Sequence, residues 1–267
     1  IPALLQAGGR SLIGALLVFA WARWRGVAMF NADGTLGAGL FAGALFAAEF
    51  GAIFLGLQFT TASRMVVFLY LSPFVVALGM PFIAHSERLA VAPAIGLLLA
   101  FAGVAWAFAE GFTLPAAGPR QWWGDALGVA AALLWAATTM VIRASRLSTA
   151  SAEKTLVYQL GVTGVALLLG GTLAGEAWPT SMSPLVALSF AFQGVVVAFA
   201  SYLVWFWLIR HYPATRLAAF TLLTPVFGLL LGAQLLGEPI TARLWLALAA
   251  VCSGIVLVNR RSENSPH

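Results

Sequence analysis

Glu49 sits in the middle of an apolar run, Leu45-Phe-Ala-Ala-Glu49-Phe-Gly-Ala-Ile-Phe54. A carboxylate in hydrocarbon must be neutralised, paired or wetted, because an isolated charge there costs several kcal/mol. Arg10 is its candidate partner. Counted from the same side, Arg10 lies about eight residues inside its run and Glu49 about ten inside its own. In helices these are depths of roughly 12 and 15 Å. The spacing predicts an Arg10–Glu49 pair facing a bundle interior. Such a pair can hold helices together, or Glu49 can contact a substrate ammonium or carry a proton.

Other side chains put a polar handle inside apolar runs: Tyr70, Trp135, Tyr158, Gln159, Gln193, Tyr202 and Trp205. Together they are the candidate lining of a binding cavity, able to stack on and hydrogen-bond to an amphipathic metabolite. Pro73 and Pro225 each remove a backbone hydrogen bond inside a run and predict a kink that can act as a hinge. Arg64, on a sparsely basic side of the topology below, can attract a carboxylate, whereas Arg216 reads as an interface anchor. Glu87 and Glu238 read as helix-start caps that satisfy free amides.

The elements that position these residues are membrane helices. Apolar residues make up 61% of the chain and charged residues only 9%, too few charges to cover a soluble domain of this size. Apolar runs follow at roughly 2–23, 36–59, 63–84, 91–110, 124–145, 154–175, 184–209, 216–236 and 241–258. Each is long enough, or nearly so, to cross about 30 Å of hydrocarbon as a helix. No alternating barrel pattern occurs. Turn-rich breaks separate the runs, as at Asn31-Ala-Asp33-Gly34, and Trp21, Trp24, Trp122, Trp123 and Trp178 stand at run ends as headgroup anchors. Gly124 to Ala130 is rich in small residues, which lets helices approach closely. Runs 91–110 and 241–258 have almost no polar centre and read as peripheral and available for packing, and the lone Cys252 reads as packing.

Alternate loops place ten basic residues on one face (Arg23, Arg25, Arg88, Arg143, Arg146, Lys154, Arg210, Arg216, Arg260, Arg261) and four on the other (Arg10, Arg64, Arg120, Arg243). The first face is therefore predicted to be cytoplasmic, with the C-terminus inside. The net charge of +5 is scattered over helix ends, unlike a nucleic-acid patch.

The chain also repeats itself. Ala62-Ser63-Arg64, Phe68, Ser72-Pro73, Glu87 and Gly103 recur as Ala214-Thr215-Arg216, Phe220, Thr224-Pro225, Glu238 and Gly254. The offset is 152 residues as far as the proline and 151 from the glutamate onward. Projected along the chain, it lays 154–175 on 2–23 and 184–209 on 32–57, while 124–145 projects to before residue 1. This predicts ten helices in two sets of five, nine of them within this sequence and the first helix of repeat one absent. A five-helix unit must insert upside down the second time, so the repeat is inverted.

In these motifs the chain resembles the EamA family of the drug/metabolite transporter superfamily. The resemblance rests on the paired Ala-Ser/Thr-Arg helix starts, the paired Ser/Thr-Pro, the Glu87 and Glu238 breaks, and Leu134-Trp135-Ala136 within Ala130 to Arg143. Gly237 precedes Glu238 as the family pattern has it; Ser86 precedes Glu87 and departs from it. The resemblance implies an all-α polytopic bundle, with a first repeat over 1–112, an inverted second repeat over 120–260 and a cytoplasmic tail at 261–267. It implies a secondary transporter working by alternating access, with its site near the midplane between the halves, and no cofactor. The aromatic-rich makeup points toward YddG-like exporters of aromatic amino acids, so the implied cargo is an amino acid or related metabolite. Protons as coupling ion, and a monomer or homodimer, remain open.

Other classes fit less well. A pore needs a continuous polar file, and the sequence offers one central charge pair and no polar ring. An enzyme needs clustered catalytic groups, yet His85 and His211 lie at helix ends and His267 is terminal. Neither a His-Glu-x-x-His motif nor a Gly-rich Lys-Ser/Thr phosphate loop occurs.

Overall fold

Side-chain caps set several of the helix starts. Thr61 accepts a hydrogen bond from the Arg64 amide, Ser151 from the Lys154 amide and Ser183 from the Val186 amide. The computed structural model describes residues 1–84, 90–109, 112, 118–224, 227, 231, 234 and 242–259. Its helices are α1 (Ala3–Trp24), α2 (Leu36–Gly56), α3 (Ala62–Leu69), α4 (Ser72–Ile83), α5 (Val91–Ala107), α6 (Gln121–Ala144), α7 (Ala152–Leu173), α8 (Pro184–Phe192), a π-helical segment Gln193–Ser201, α9 (Tyr202–His211), α10 (Ala214–Phe220) and α11 (Ala242–Asn259). Among the described residues, six helical spans are long and apolar enough to cross a membrane, and Val91–Ala107 and Trp245–Val258 are shorter apolar helices.

The chain forms two compact units. Unit 1 is Ile1–Phe54 with Ala137–Tyr212, and unit 2 is the described part of Leu55–Ala136 with Pro213–His267. Each unit is built around a helix packed on its own copy. In unit 1, α1 lies antiparallel to α7: Gly8 faces Leu168, Leu12 faces Gly164 and Gly171 faces Leu4 and Leu5. The 152-residue offset carries Leu12 onto Gly164, so at this crossing a residue meets its own counterpart. In unit 2, α5 packs on α11 through Gly96 against Gly254 and Gly103 against Ala247. The 151-residue offset turns Gly96 into Ala247 and Gly103 into Gly254, so the two contacts are exchange-related. Both patterns are what a two-fold axis across the helix pair produces, and antiparallel copies are an inverted repeat.

Glycine makes these crossings possible. A Cβ at Gly164 would lie 3.1 Å from the Leu12 amide nitrogen, and one at Gly96 would lie 2.5 Å from the Gly254 carbonyl oxygen. Small residues let membrane helices pack backbone to backbone. The runs read as peripheral and available for packing, 91–110 and 241–258, pack on each other in unit 2, with Leu97, Ala100, Val104, Val251 and Ile255 in its core, while Ile95, Leu98, Trp245 and Leu246 are exposed on their outer faces. A featureless apolar run is what two closely packed helices need.

Three runs differ from a plain helix. The run 63–84 divides at Tyr70-Leu71, and Pro73 sits in the first turn of α4 rather than kinking a continuous helix. Proline is tolerated there because the first-turn amides have no helical partner. The run 184–209 contains the π-helical segment. Of the run 216–236, α10 and a 3₁₀ turn at Thr221–Leu223 are described; Pro225, Glu87 and Glu238 lie outside the described residues. Cys252, read as packing, is exposed on α11.

The amides that start α1 have an unusual acceptor. Pro2 gives no side-chain cap, and the Glu176 carboxylate accepts from Leu4 N (3.3 Å) and Leu5 N (2.9 Å) instead. The end of α7 aims it. Gly175 takes φ +81°, and the amides of Gly175 and Glu176 return to Thr172 and Gly171. This left-handed glycine closure turns the chain back toward α1.

Gly164→Leu is expected to destabilise the protein by about 1–3 kcal/mol through overpacking. Gly161→Leu, one turn away with nothing within 4 Å of its Cβ position, is expected to leave stability unchanged. Thermal unfolding in detergent checks both, and equal losses would contradict the crossing described here.

Candidate functional site

The α7 helix is a ruler for the centre of unit 1. On one side α1 runs antiparallel with Leu12 at Gly164, which sets Arg10, two residues earlier, at the level of Ala166. On the other side α2 runs parallel, with Gly39 against the Tyr158 ring, Gly43 against Val162 and Gly51 near Leu167. Glu49 therefore also falls near the level of Ala166. Both residues thus lie near one level of α7, and Arg10 and Glu49 are only 8% and 2% exposed.

They do not form the contact ion pair that the spacing suggests. The Arg10 guanidinium stacks on the Phe50 ring, 4.7 Å from its centroid. Phe50 projects about 100° around α2 from Glu49, so an arginine held on that ring is drawn away from the carboxylate. Arg10 and Glu49 still act on each other through space, and both lie within electrostatic reach of the Tyr202 hydroxyl on α9. Arg10 Nε and Glu49 Oε2 are buried with no hydrogen-bond partner. Phe46 closes the group, 4.9 Å from the Phe50 ring and 5.8 Å from the Tyr202 ring.

The π-helical segment presents the remaining polar groups. It packs on α1 through Gly194 against Ile13 and Ala198 against Gly14. Gln193 at its start accepts a hydrogen bond from Gln6 (3.1 Å), and Tyr202 follows its end. Such wide turns recur at functional sites. Hydrophobic periodicity carries no sign of it.

The other lining candidates divide. Gln159 and Thr163 on α7 are fully buried, and Gln159 Oε1, Gln159 Nε2 and Thr163 Oγ1 have no partner. Tyr158 is half-buried near the start of α7, its hydroxyl 3.3 Å from Thr35 Oγ1. Trp205 is half-buried on α9. Tyr70 and Trp135 belong to unit 2, where Tyr70 lies in the apolar core with Thr224 beside it. The structure thus brings Arg10, Glu49 and Tyr202 together.

Residues 122–260 match the EamA-like transporter family. The chain belongs to this family. It is similar to the uncharacterized transporter YvbV of Bacillus subtilis, 29% identical over 98% of this chain and 84% of the relative. The uncharacterized inner membrane transporter YedA of Escherichia coli K12 is 29% identical over 51% of this chain and 44% of its own length. A solved crystal structure shares the fold, with TM-score 0.82 at 19% identity over 97% of this chain and 89% of that one. This protein is a multi-pass membrane transporter.

Two polar clusters of this EamA-family chain escaped the sequence reading. In unit 2, Arg64 is held by Asp125, with Nε 3.0 Å from Oδ1 and Nη2 2.5 Å from Oδ2. Thr60 donates to the same carboxylate at 2.7 Å, and Phe112 lies under the guanidinium at 4.3 Å. The carboxylate that Arg64 attracts is thus the protein's own; the pair ties the start of α3 to that of α6.

In unit 1, Lys154 donates to the Asn31 carbonyl (3.2 Å), Asn31 Oδ1 (2.7 Å) and Asp33 Oδ2 (2.8 Å). Arg146 adds a bond to the Asp33 carbonyl at 3.1 Å. The sequence marks Asn31 to Gly34 only as a turn and Lys154 only as a topogenic charge; their meeting needs the fold. Hydrogen bonds from Lys154, then Thr35, hold the Asp33 carboxyl well below the ordinary carboxylate range.

Because the folded value is depressed, the stability that Asp33 contributes is present above its ordinary pKa of about 4 and is lost as pH falls toward the lower folded value. Lys154→Met is expected to lower the thermal midpoint at neutral pH, with the gap to wild type closing below about pH 4. Melting curves across pH check this, and a gap that stays constant into acid would contradict the clamp.

Proposed function

We propose that this protein is a secondary transporter that exports amino acids, aromatic ones included, across the cytoplasmic membrane by alternating access. Arg10 takes the substrate carboxylate and Glu49 its ammonium. One observation carries the reading: two opposite charges, buried at one depth, are not in contact, and each keeps a polar atom that no protein group satisfies. A zwitterion presents the complementary charges, and charge-assisted hydrogen bonds to it repay the desolvation that each group alone would suffer. Phe46, Phe50 and Tyr202 give an aromatic side chain faces to stack on.

The centre belongs to one repeat only, since the offset carries Arg10 onto Val162 and Glu49 onto Ser201. The scaffold does not require these charges, which supports a role in binding. An inverted repeat supports alternating access, in which the two halves exchange conformations. The ten-to-four distribution of basic residues supports a cytoplasmic C-terminus.

The test is counterflow in proteoliposomes with labelled amino acids. Saturable uptake of at least one aromatic amino acid is expected for wild type. Arg10→Gln and Glu49→Gln are each expected to weaken apparent affinity about 10- to 100-fold, the worth of one charge-assisted contact. Arg10→Gln should no longer distinguish phenylalanine from phenethylamine, which lacks the carboxylate, whereas Glu49→Gln should keep that distinction. Absence of saturable uptake across the panel would overturn the reading.

A further inference from the structure

One buried polar feature is not used by the charge centre proposed above. Thr155, Gln159 and Thr163 recur at every fourth residue of α7, so they form one stripe that drifts about 40° per step. Thr155 is 2% exposed, and Gln159 and Thr163 are 0% exposed. Thr155 is satisfied locally by the Ser151 carbonyl at 3.2 Å, in the helix turn that also carries the Lys154 clamp. Gln159 Oε1, Gln159 Nε2 and Thr163 Oγ1 have no protein partner. Buried polar atoms without partners in a native fold call for a ligand, most often water.

The repeat shows that this stripe is not needed for packing. Its counterparts on α1 are Ala3, Ala7 and Ser11. Two of three positions are apolar in the copy, and α1 packs against α7 all the same. The stripe also has a direction. It begins at the end of α7 that the charge distribution assigns to the cytoplasm. It ends at Thr163, three residues or about 4.5 Å along the helix from the level of Arg10 and Glu49, a gap that one water spans.

We propose that Thr155, Gln159 and Thr163 hold a file of waters that conducts protons between the cytoplasmic face and Glu49, making this transporter a proton antiporter. The proposal rests on the transport function above. A proton reaching Glu49 from the outer side as substrate leaves is passed inward: the carboxyl O–H breaks, a water at Thr163 takes the proton, and each water hands one on until the cytoplasm receives it. No electrons move. The titratable groups around Glu49 are Arg10 on α1 and Tyr202 on α9. α7 beyond Tyr158, the π-helical segment, and α6 between Asp125 and Arg143 carry none. Glu49 is therefore the carboxyl group at this depth that can carry the proton.

The experiment uses the full chain in proteoliposomes with labelled phenylalanine and a trapped pH dye. In wild type, a pH gradient is expected to accelerate uptake, and phenylalanine is expected to move protons in the opposite sense. Thr163→Val and Gln159→Leu should each lower both responses by about an order of magnitude, because the bridging waters lose their partners. Thr163→Val should leave gradient-free counterflow intact, which also shows that it is folded, and Thr163→Ser should keep both activities. Unchanged gradient responses in Thr163→Val and Gln159→Leu would overturn the proposal. So would wild-type counterflow that ignores the gradient, a result that leaves the transport function standing. Loss of counterflow along with coupling in Thr163→Val would overturn it too, by assigning the stripe to the substrate site. If wild type shows no counterflow with any amino acid, the transport function falls first.

Discussion

Where α1 crosses α7, Leu12 meets Gly164, its own copy, with no room for a side chain between the backbones. That close contact fixes how far α1 and α7 can slide and rotate, and it sets the depth of everything they carry. Because α2 also lies along α7, the position of Glu49 is inherited from the same crossing. A bulkier residue at position 164 would move Arg10 relative to Glu49. In unit 2, Gly96, Gly103 and Gly254 impose the same discipline on α5 and α11. Lipid tails are as apolar as leucine, so packing between backbones replaces the hydrophobic drive that would join such helices in water.

On this two-fold framework the polar groups are placed without symmetry. Arg10, Glu49, Gln159 and Thr155 have apolar or small counterparts, and the π-helical segment sits in one repeat only. A fold built on matched helix pairs leaves each half free to specialise. The helix contacts serve stability and the unmatched polar residues are those proposed to serve transport, so one mutation set can be separated from the other.

Much of this was legible in the sequence. The duplicated Arg, Ser/Thr-Pro, Glu and Gly positions revealed the repeat, and the count of basic residues argued that it was inverted. Depth counting brought Arg10 and Glu49 to one level, because helix rise is constant and both runs could be measured from their ends. Counting could not tell that Phe50 would take the guanidinium, since that depends on direction around α2. Tyr70 looked like a cavity residue because its hydroxyl sat in an apolar run, but it lies within the core of unit 2, where Thr224, far away in sequence, comes beside it. Arg64 and Lys154 were misjudged for the same reason: Asp125, Asn31 and Asp33 reach them only through the fold. The plain run 91–110 read as peripheral and available for packing because it shows no polarity; which helix it packs on, and through which glycines, is steric and needs the fold.

The bond between Glu176 and the start of α1 bears on how such a chain is made. The amides of Leu4 and Leu5 wait for an acceptor that lies 172 and 171 residues further along the chain. At a synthesis rate of about 5–20 residues per second, that is an interval of roughly 10–30 s. Throughout it α1 has neither its cap nor its main packing partner, α7. The first repeat must therefore wait in the bilayer half-assembled, its glycine face turned to lipid or to a neighbour lent by the insertion machinery. Unit 1 closes only when α7 is threaded back against α1, so a late step of biogenesis, rather than the insertion of α1 itself, decides whether the start of that helix gains its cap.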